Sequence, residues 1–165
     1  MRVAAVAGAA SSQDELVDAV IAASRALVAV AARSVAAAGE DVTLVQYRAL
    51  VVLASRGPQR VADLAAALGV NPSTATRMCD RLVRKRLARR QRLTTDRRTV
   101  RVALSDQGRE LVAEVTLRRR SEVATILRRM PTSARGQVID ALRAFAEAAG
   151  ESPEQSWSLG WQASR

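Results

Sequence analysis

Residues 71–86 read NPSTATRMCDRLVRKR. Asn71 is a favoured helix N-cap, and Pro72 suits the first helical position, where its missing N–H costs nothing. At 3.6 residues per turn, Ala75, Met78, Cys79 and Leu82 share one face. That face is apolar and is expected to be buried. The opposite face is centred on Ser73, Arg77 and Arg84 and flanked by Thr74, Thr76, Asp80 and Arg81. The stretch therefore predicts a helix anchored on one side. Its other side shows short hydroxyls near the start and arginines farther along.

The neighbouring sequence gives this helix a setting. Upstream, Thr43 can cap a helix with Leu44, Tyr47, Leu50, Val51 and Ala54 on one face, and Gly57-Pro58 breaks it. A short helix follows with Val61, Leu64, Ala65 and Leu68. It ends at Gly69, and Val70-Asn71 complete a tight turn. Two helices joined this way have helix-turn-helix form. Downstream, Leu87 to Leu93 can form a strand, and TTDRR (94–98) is a charged connection. Thr99 to Leu104 then alternates, with Val100, Val102 and Leu104 on one side and Thr99, Arg101 and Ala103 on the other. That is the period of a half-buried strand. A hairpin directly after a helix-turn-helix makes a winged helix-turn-helix. The fold class is mainly α with a small β-hairpin wing.

Long helices flank this lobe. Ser12-Gln13-Asp14-Glu15 has the form of a capping box. Leu16, Val20, Ala23, Leu27, Val30 and Ala31 follow at helical spacing, and Gly39 supplies a stop. Such a helix runs for about 25 residues, nearly 40 Å at ~1.5 Å per residue. One small neighbour cannot cover it, so its stripe suggests a dimer partner; the alternative is an ordinary core helix. Ser105 can cap a further helix carrying Leu111, Val115, Val123, Ile126 and Leu127. Pro131 interrupts, and a last helix holds Val138, Leu142 and Phe145 and stops at Gly150. The resulting division is a leader (1–11), flanking helices (12–42 and 105–150), a winged lobe (43–104) and a polar tail (151–165). The tail, with Trp157 and Trp161, is expected to dock loosely or fray. The start, MRVAAVAGAASS, has the outline of a signal peptide. Its apolar run is short and its basic region is one Arg, so a frayed leader and a cytoplasmic location are expected.

Composition narrows the function. The chain has 165 residues and a formal charge of +10 with no histidine. Arg77 to Arg101 holds eleven Arg or Lys against two Asp, whereas the remainder holds fifteen basic and fourteen acidic residues. The excess charge is thus focused in one segment, which points to a polyanionic partner. Only 2% of residues are aromatic, so small aliphatic side chains must do the packing. One cysteine excludes an intrachain disulfide, and the absence of histidine removes the usual zinc constellations. No cofactor or metal is expected. No apolar run approaches the roughly 20 residues that span a bilayer, so no membrane partner is expected. Enzyme chemistry lacks a histidine base and a Gly-rich phosphate loop, and Glu110 and Glu114, one turn apart, read as a solvated face.

The exposed face of the 71–86 helix has the chemistry a major groove needs. Arg can bond guanine O6 and N7 together, Ser and Thr can bond a base edge or phosphate, and the Thr methyl can touch thymine. Arg97 and Arg98 sit at or near the hairpin tip, where an arginine suits a minor groove. Arg89, Arg90, Arg92 and Arg101 on the strands suit phosphates; the alternative is a solvated charged hairpin. Asp80 and Asp96 would each repel phosphate, so at least one is expected to pair with a helix or wing arginine. A sequence-specific double-stranded-DNA-binding regulator is the favoured reading. The alternative is a non-specific nucleic-acid-binding or architectural protein.

Three stretches resemble the MarR family of multiple-antibiotic-resistance regulators. They are VTLVQYRALVVLASRGPQRVADLAAALGV, NPSTATRMCDRLVRKRLARR and TDRRTVRVALSDQGREL. The resemblance spans roughly Ser12 to Gly150. It implies a homodimer whose N- and C-terminal helices form the interface, with two winged lobes reading a near-palindromic operator, usually as a repressor. It also implies release by a small aromatic or amphipathic ligand held between the dimer helices and the DNA lobe. Ser73, Thr74, Thr76 and Arg77 fall where the family reads bases. Arg98 falls on the minor-groove arginine of the wing, with Arg97 beside it. Arg81, Arg84 and Arg90 complete the expected DNA-binding set. Tyr47 and Arg48 border the family's ligand pocket; they can also serve as a core residue and a salt bridge. The family commonly has Gly where this chain has Arg86. One branch senses oxidants through a cysteine early in the first helix, a position where this chain has none; Cys79 reads as a buried structural thiol.

Overall fold

A computed structural model of the chain describes residues 2–39, 41–92 and 100–151. Its elements are α1 (Arg2–Ala36), α2 (Leu44–Arg56), α3 (Val61–Leu68), α4 (Pro72–Arg84), β1 (Ala88–Arg92), β2 (Val100–Leu104), α5 (Asp106–Arg128) and α6 (Arg135–Ala148). A 3-10 turn over Thr132–Ala134 leads into α6.

Local chemistry sets most boundaries. Thr43 and Gln46 form a reciprocal capping box at the start of α2. The Asn71 side chain caps α4, and the Ser105 hydroxyl caps α5 by accepting from the Gly108 N–H at 3.0 Å. Gly69 ends α3 in the left-handed region at φ 63°. The start of α1 differs from expectation. The helix begins at Arg2 and runs through Ser12, so residues 2–11 are helical and the Ser12 box is not used. An N-cap residue needs extended backbone. Nothing in the Ala-rich stretch before Ser12 imposes that, and alanine is the best helix former.

The core gathers one or more side chains from each element of the lobe. Leu50 of α2, Leu64 of α3, Leu82 of α4, Leu87 ahead of β1, Val102 of β2 and Val112 of α5 are all buried. The strands pair antiparallel with Ala88 opposite Leu104, Arg90 opposite Val102 and Arg92 opposite Val100. Gln59, just after α2, adds a one-residue bridge to the other edge of β2, with N···O distances of 2.9 and 2.8 Å to Val102. The alternation expected of β2 fails at both ends. Ala103 is buried because the turn after α2 covers its side of the strand; it shares a small cleft with Leu53, Gly57 and Pro58. Val100 is 39% exposed because it lies at the outer end of the pairing, opposite Arg92.

The junction of α4, the hairpin and α5 is the tightest point. Arg86 has φ 60° and is the one non-glycine residue with positive φ among the described residues. Its N–H donates to Val83 C=O and that of Leu87 to Leu82 C=O, both at 3.0 Å. These two bonds make a Schellman motif that closes α4. A side chain in this conformation costs about 1 kcal/mol. The Ser105 hydroxyl donates to Arg86 C=O, and the Ser105 N–H donates to Leu87 C=O at 3.2 Å. Gly108 lies directly behind. A Cβ there would overlap the Leu87 carbonyl and stand 2.8 Å from Leu104 Cδ2.

Outside the lobe, α1 lies on α5 through Arg33, whose Nε and Nη2 donate to Glu122 Oε2 at 3.0 and 2.7 Å. Much of the flanking apolar surface is open. Leu16, Leu27, Ile126, Leu127, Leu142 and Phe145, expected to pack, are 38–64% exposed, and α6 has no buried residue. A helical stripe read from sequence says which residues seek cover; the described chain does not supply that cover.

Cys79 is fully buried on α4. Burial raises its thiol pKa, the nearby Asp80 carboxylate raises it further, and Arg90 opposes weakly. The native thiol therefore stays protonated at neutral pH.

Three outcomes follow for stability. Gly108→Ala should cost about 3 kcal/mol in urea unfolding, since backbone must move to admit the methyl. Arg86→Gly should stabilise by about 1 kcal/mol by removing the left-handed strain. Cys79 should react with a thiol reagent at neutral pH only as fast as the chain unfolds, and unfolding in urea should expose one full equivalent. The raised thiol pKa means the unfolded chain ionises first as pH rises. Its contribution to stability is complete below pH about 8.5 and lost above it.

Candidate nucleic-acid interface

The turn between α3 and α4 is made by backbone. The Gly69 N–H reaches the carbonyls of Ala65 and Ala66, and the Val70 N–H reaches Ala65 C=O at 3.1 Å. At the start of α3, Arg60 donates to Asp63 at 2.8 and 2.9 Å in place of a side-chain cap. That hydrogen bond holds the Asp63 carboxyl below its ordinary pKa.

The amphipathic split of α4 matches its sequence. Ala75, Met78, Cys79 and Leu82 are buried, while Ser73, Thr76, Arg77, Arg81 and Arg84 are exposed and Thr74 is half-buried. Asn71 Oδ1 accepts from the Thr74 N–H and from the Ser73 hydroxyl, each at 2.9 Å. The Thr76 hydroxyl donates to Pro72 C=O at 2.9 Å. These bonds cap the Thr74 N–H and hold the Ser73 and Thr76 hydroxyls against the first turn.

Some arginines have acidic partners and others, on several elements, have none among the described residues. Arg33, Arg48, Arg60, Arg90, Arg109 and Arg118 each sit in an ion pair. Arg77, Arg81 and Arg84 pair with no carboxylate among the described residues. The acidic residue on their face, Asp80, is committed elsewhere: it pairs with Arg90 of β1. This is the pairing the sequence led us to expect, and it ties the exposed side of α4 to the hairpin. Glu114, one of two glutamates read as a solvated face, pairs with Arg118 on the surface of α5.

The strand arginines do not act as one set. Register puts Arg90 and Arg92 on the side of Val100 and Val102, and Arg89 with Gln91, Arg101 and Ala103 on the other. Arg97, Arg98 and Asp96 lie outside the described residues.

Tyr47 and Arg48 border a cleft of about 380 Å³ between α1, α2, α3 and α5. Tyr47 is nearly fully buried, so only part of it faces the cleft. Arg48 is half-exposed and pairs with Glu151, its Nη1 donating to Oε2 at 3.2 Å. Arg119 of α5 also lines the cleft and was not singled out from sequence. Its signal was present: it stands four residues after Val115, a charge set into the apolar stripe of α5. No helix among the described residues is long and apolar enough to cross a membrane.

Known proteins fit this geometry. The MarR family profile matches residues 42–100, from the cap of α2 to β2. The HTH-type transcriptional repressor MdtR of Bacillus subtilis (strain 168) is 31% identical over 121 residues, 73% of this chain and 78% of MdtR. The uncharacterized HTH-type transcriptional regulator YhbI of the same organism is 29% identical over 93 residues, 56% of this chain. The match covers 60% of YhbI, less than two thirds of its length. The crystal structure of RV1404 from Mycobacterium tuberculosis superposes with a TM-score of 0.80 at 44% identity, covering 86% of this chain and 97% of that one. With its helix-turn-helix, its hairpin wing and these likenesses, the chain belongs to the MarR family of DNA-binding transcriptional regulators.

Proposed function

We propose that the protein is a sequence-specific repressor. It binds a near-palindromic operator as a homodimer in the cytoplasm and is released by a small aromatic or amphipathic ligand. The observation that carries this reading is the exposed face of α4, which presents Arg77, Arg81 and Arg84 with no carboxylate partner among the described residues. In this reading Ser73, Thr74, Thr76 and Arg77 meet base edges in the major groove. Arg81, Arg84 and Arg90 meet phosphates and release counterions. Arg97 and Arg98 enter the adjacent minor groove from the wing.

The open apolar faces of α1, α5 and α6 support dimerisation through the flanking helices. A two-fold dimer would set half-site centres about 34–36 Å apart. The name of MdtR, a repressor, supports repression. The cleft beside Tyr47, Arg48 and Arg119 supports a ligand with an apolar body and an anionic end.

The test is titration into a duplex from immediately upstream of the protein's own gene, beside a scrambled duplex, at two salt concentrations. A preference of about 10³ or more for the native duplex is expected. Arg77→Ala should weaken native binding by about 1–3 kcal/mol and relax discrimination, while Arg90→Ala should weaken both duplexes alike. Equal binding to both duplexes with the same salt slope, persisting across genomic fragments, would instead identify a non-specific nucleic-acid binder.

A further inference from the structure

Arg48, which lines the cleft that supports an effector, is already paired with a carboxylate from the protein itself. Glu151 follows Gly150, the residue at φ 72° that ends α6. Its N–H still reaches back to Ala146 C=O at 3.0 Å, so its backbone is set by the helix end. Its two carboxylate oxygens take both terminal nitrogens of Arg48, 103 residues away in sequence. This is the fork-to-carboxylate arrangement by which an arginine holds an acid ligand. Arg48 is also a wall of the cleft, with Arg119 of α5 beside it and Val45, Val51 and Leu68 supplying apolar surface. The cleft therefore offers apolar walls and two guanidiniums, one of which is occupied from within the chain.

We propose that Glu151 is an internal competitor of the effector's carboxylate. An aromatic acid entering the cleft takes Arg48 from Glu151, and the end of α6 is released from α2. The inference rests on the effector reading given above and adds its regulation. One guanidinium cannot give its paired donors to two carboxylates at once. The contact also joins the two parts of the molecule that a ligand must couple, since α2 belongs to the winged lobe and α6 to the flanking helices. Arg48 and Glu151 are both partly exposed, at 42% and 44% of their side chains. A pair so exposed is worth little, which suits a contact that a weakly bound metabolite must displace.

The experiment is calorimetric titration of the full-length protein with naphthalene-2-carboxylate and, separately, with the uncharged naphthalene-2-carboxamide. Four forms are compared: wild type, Glu151→Gln, Arg48→Gln and the double variant. Urea unfolding of each serves as the folding control. Removing the competitor should tighten carboxylate binding by about 2–5-fold, the range an exposed ion pair allows. Carboxamide binding should not change, because it does not compete for the charge. Arg48→Gln should weaken the carboxylate and abolish the difference made by Glu151→Gln in the double variant. Carboxylate binding that depends on Arg48 but is equal in wild type and Glu151→Gln would overturn the competition while leaving the effector reading intact. A matching gain for the carboxamide would also overturn it, since the effect would then be steric. Failure of the carboxylate to bind any folded form would overturn the aromatic-acid reading itself, and the competition with it.

Discussion

The first turn of α5 can approach the chain at Leu87 only because residue 108 has no side chain. The rest of the lobe is arranged around that approach. Ser105 caps α5 and, with the same hydroxyl, grips the carbonyl of Arg86, where α4 has just ended. The wing therefore starts at an angle fixed from both sides, by the Schellman closure of α4 and by the first turn of α5. Gln59 adds a third restraint by pairing with Val102 on the far edge of β2. A left-handed arginine is tolerated at Arg86 because these bonds over-determine its conformation. Arg86 thus carries local strain within a backbone path held by its neighbours' hydrogen bonds.

Charge is distributed with similar economy of parts. Exposed ion pairs contribute about 0–1 kcal/mol, so leaving Arg77, Arg81 and Arg84 without acids costs the folded chain little. It keeps their donors available. Asp80 looks out of place on such a face until its partner is seen. Bound to Arg90, it carries no free charge toward a polyanion, and it sets the direction of a hairpin side chain from the helix beside it. The pair matters more for placement than for stability.

Much of this was readable from the sequence because it is written in local rules. The caps at Thr43, Asn71 and Ser105, the glycine stops and the buried face of α4 each depend on residues within one or two turns. What escaped was non-local. The Gln59 bridge is one residue long and has no period to detect. Ala103 is buried by a turn more than forty positions away in sequence, against the alternation of its own strand. The Ser12 capping box was a true motif in the wrong context, since a cap forms only where the chain before it leaves the helix. The site divided in the same way. The faces of α4 followed from 3.6 residues per turn, and pairing of Asp80 or Asp96 with a helix or wing arginine was expected. The choice of Arg90 and the identity of Glu151 as partner of Arg48 needed the fold. Arg119 was legible in principle as a charge in an apolar stripe.

The last helix carries a thermodynamic consequence. Fourteen residues of α6 bury no side chain within the described chain. A helix of that length is marginal in water when only its own backbone supports it. Its order must therefore be supplied by whatever surface closes over Ile139, Leu142 and Phe145. If that surface belongs to another molecule, ordering of this helix and association are a single event. Unfolding then ceases to be unimolecular, and no melting temperature for the protein has meaning without the concentration at which it was measured.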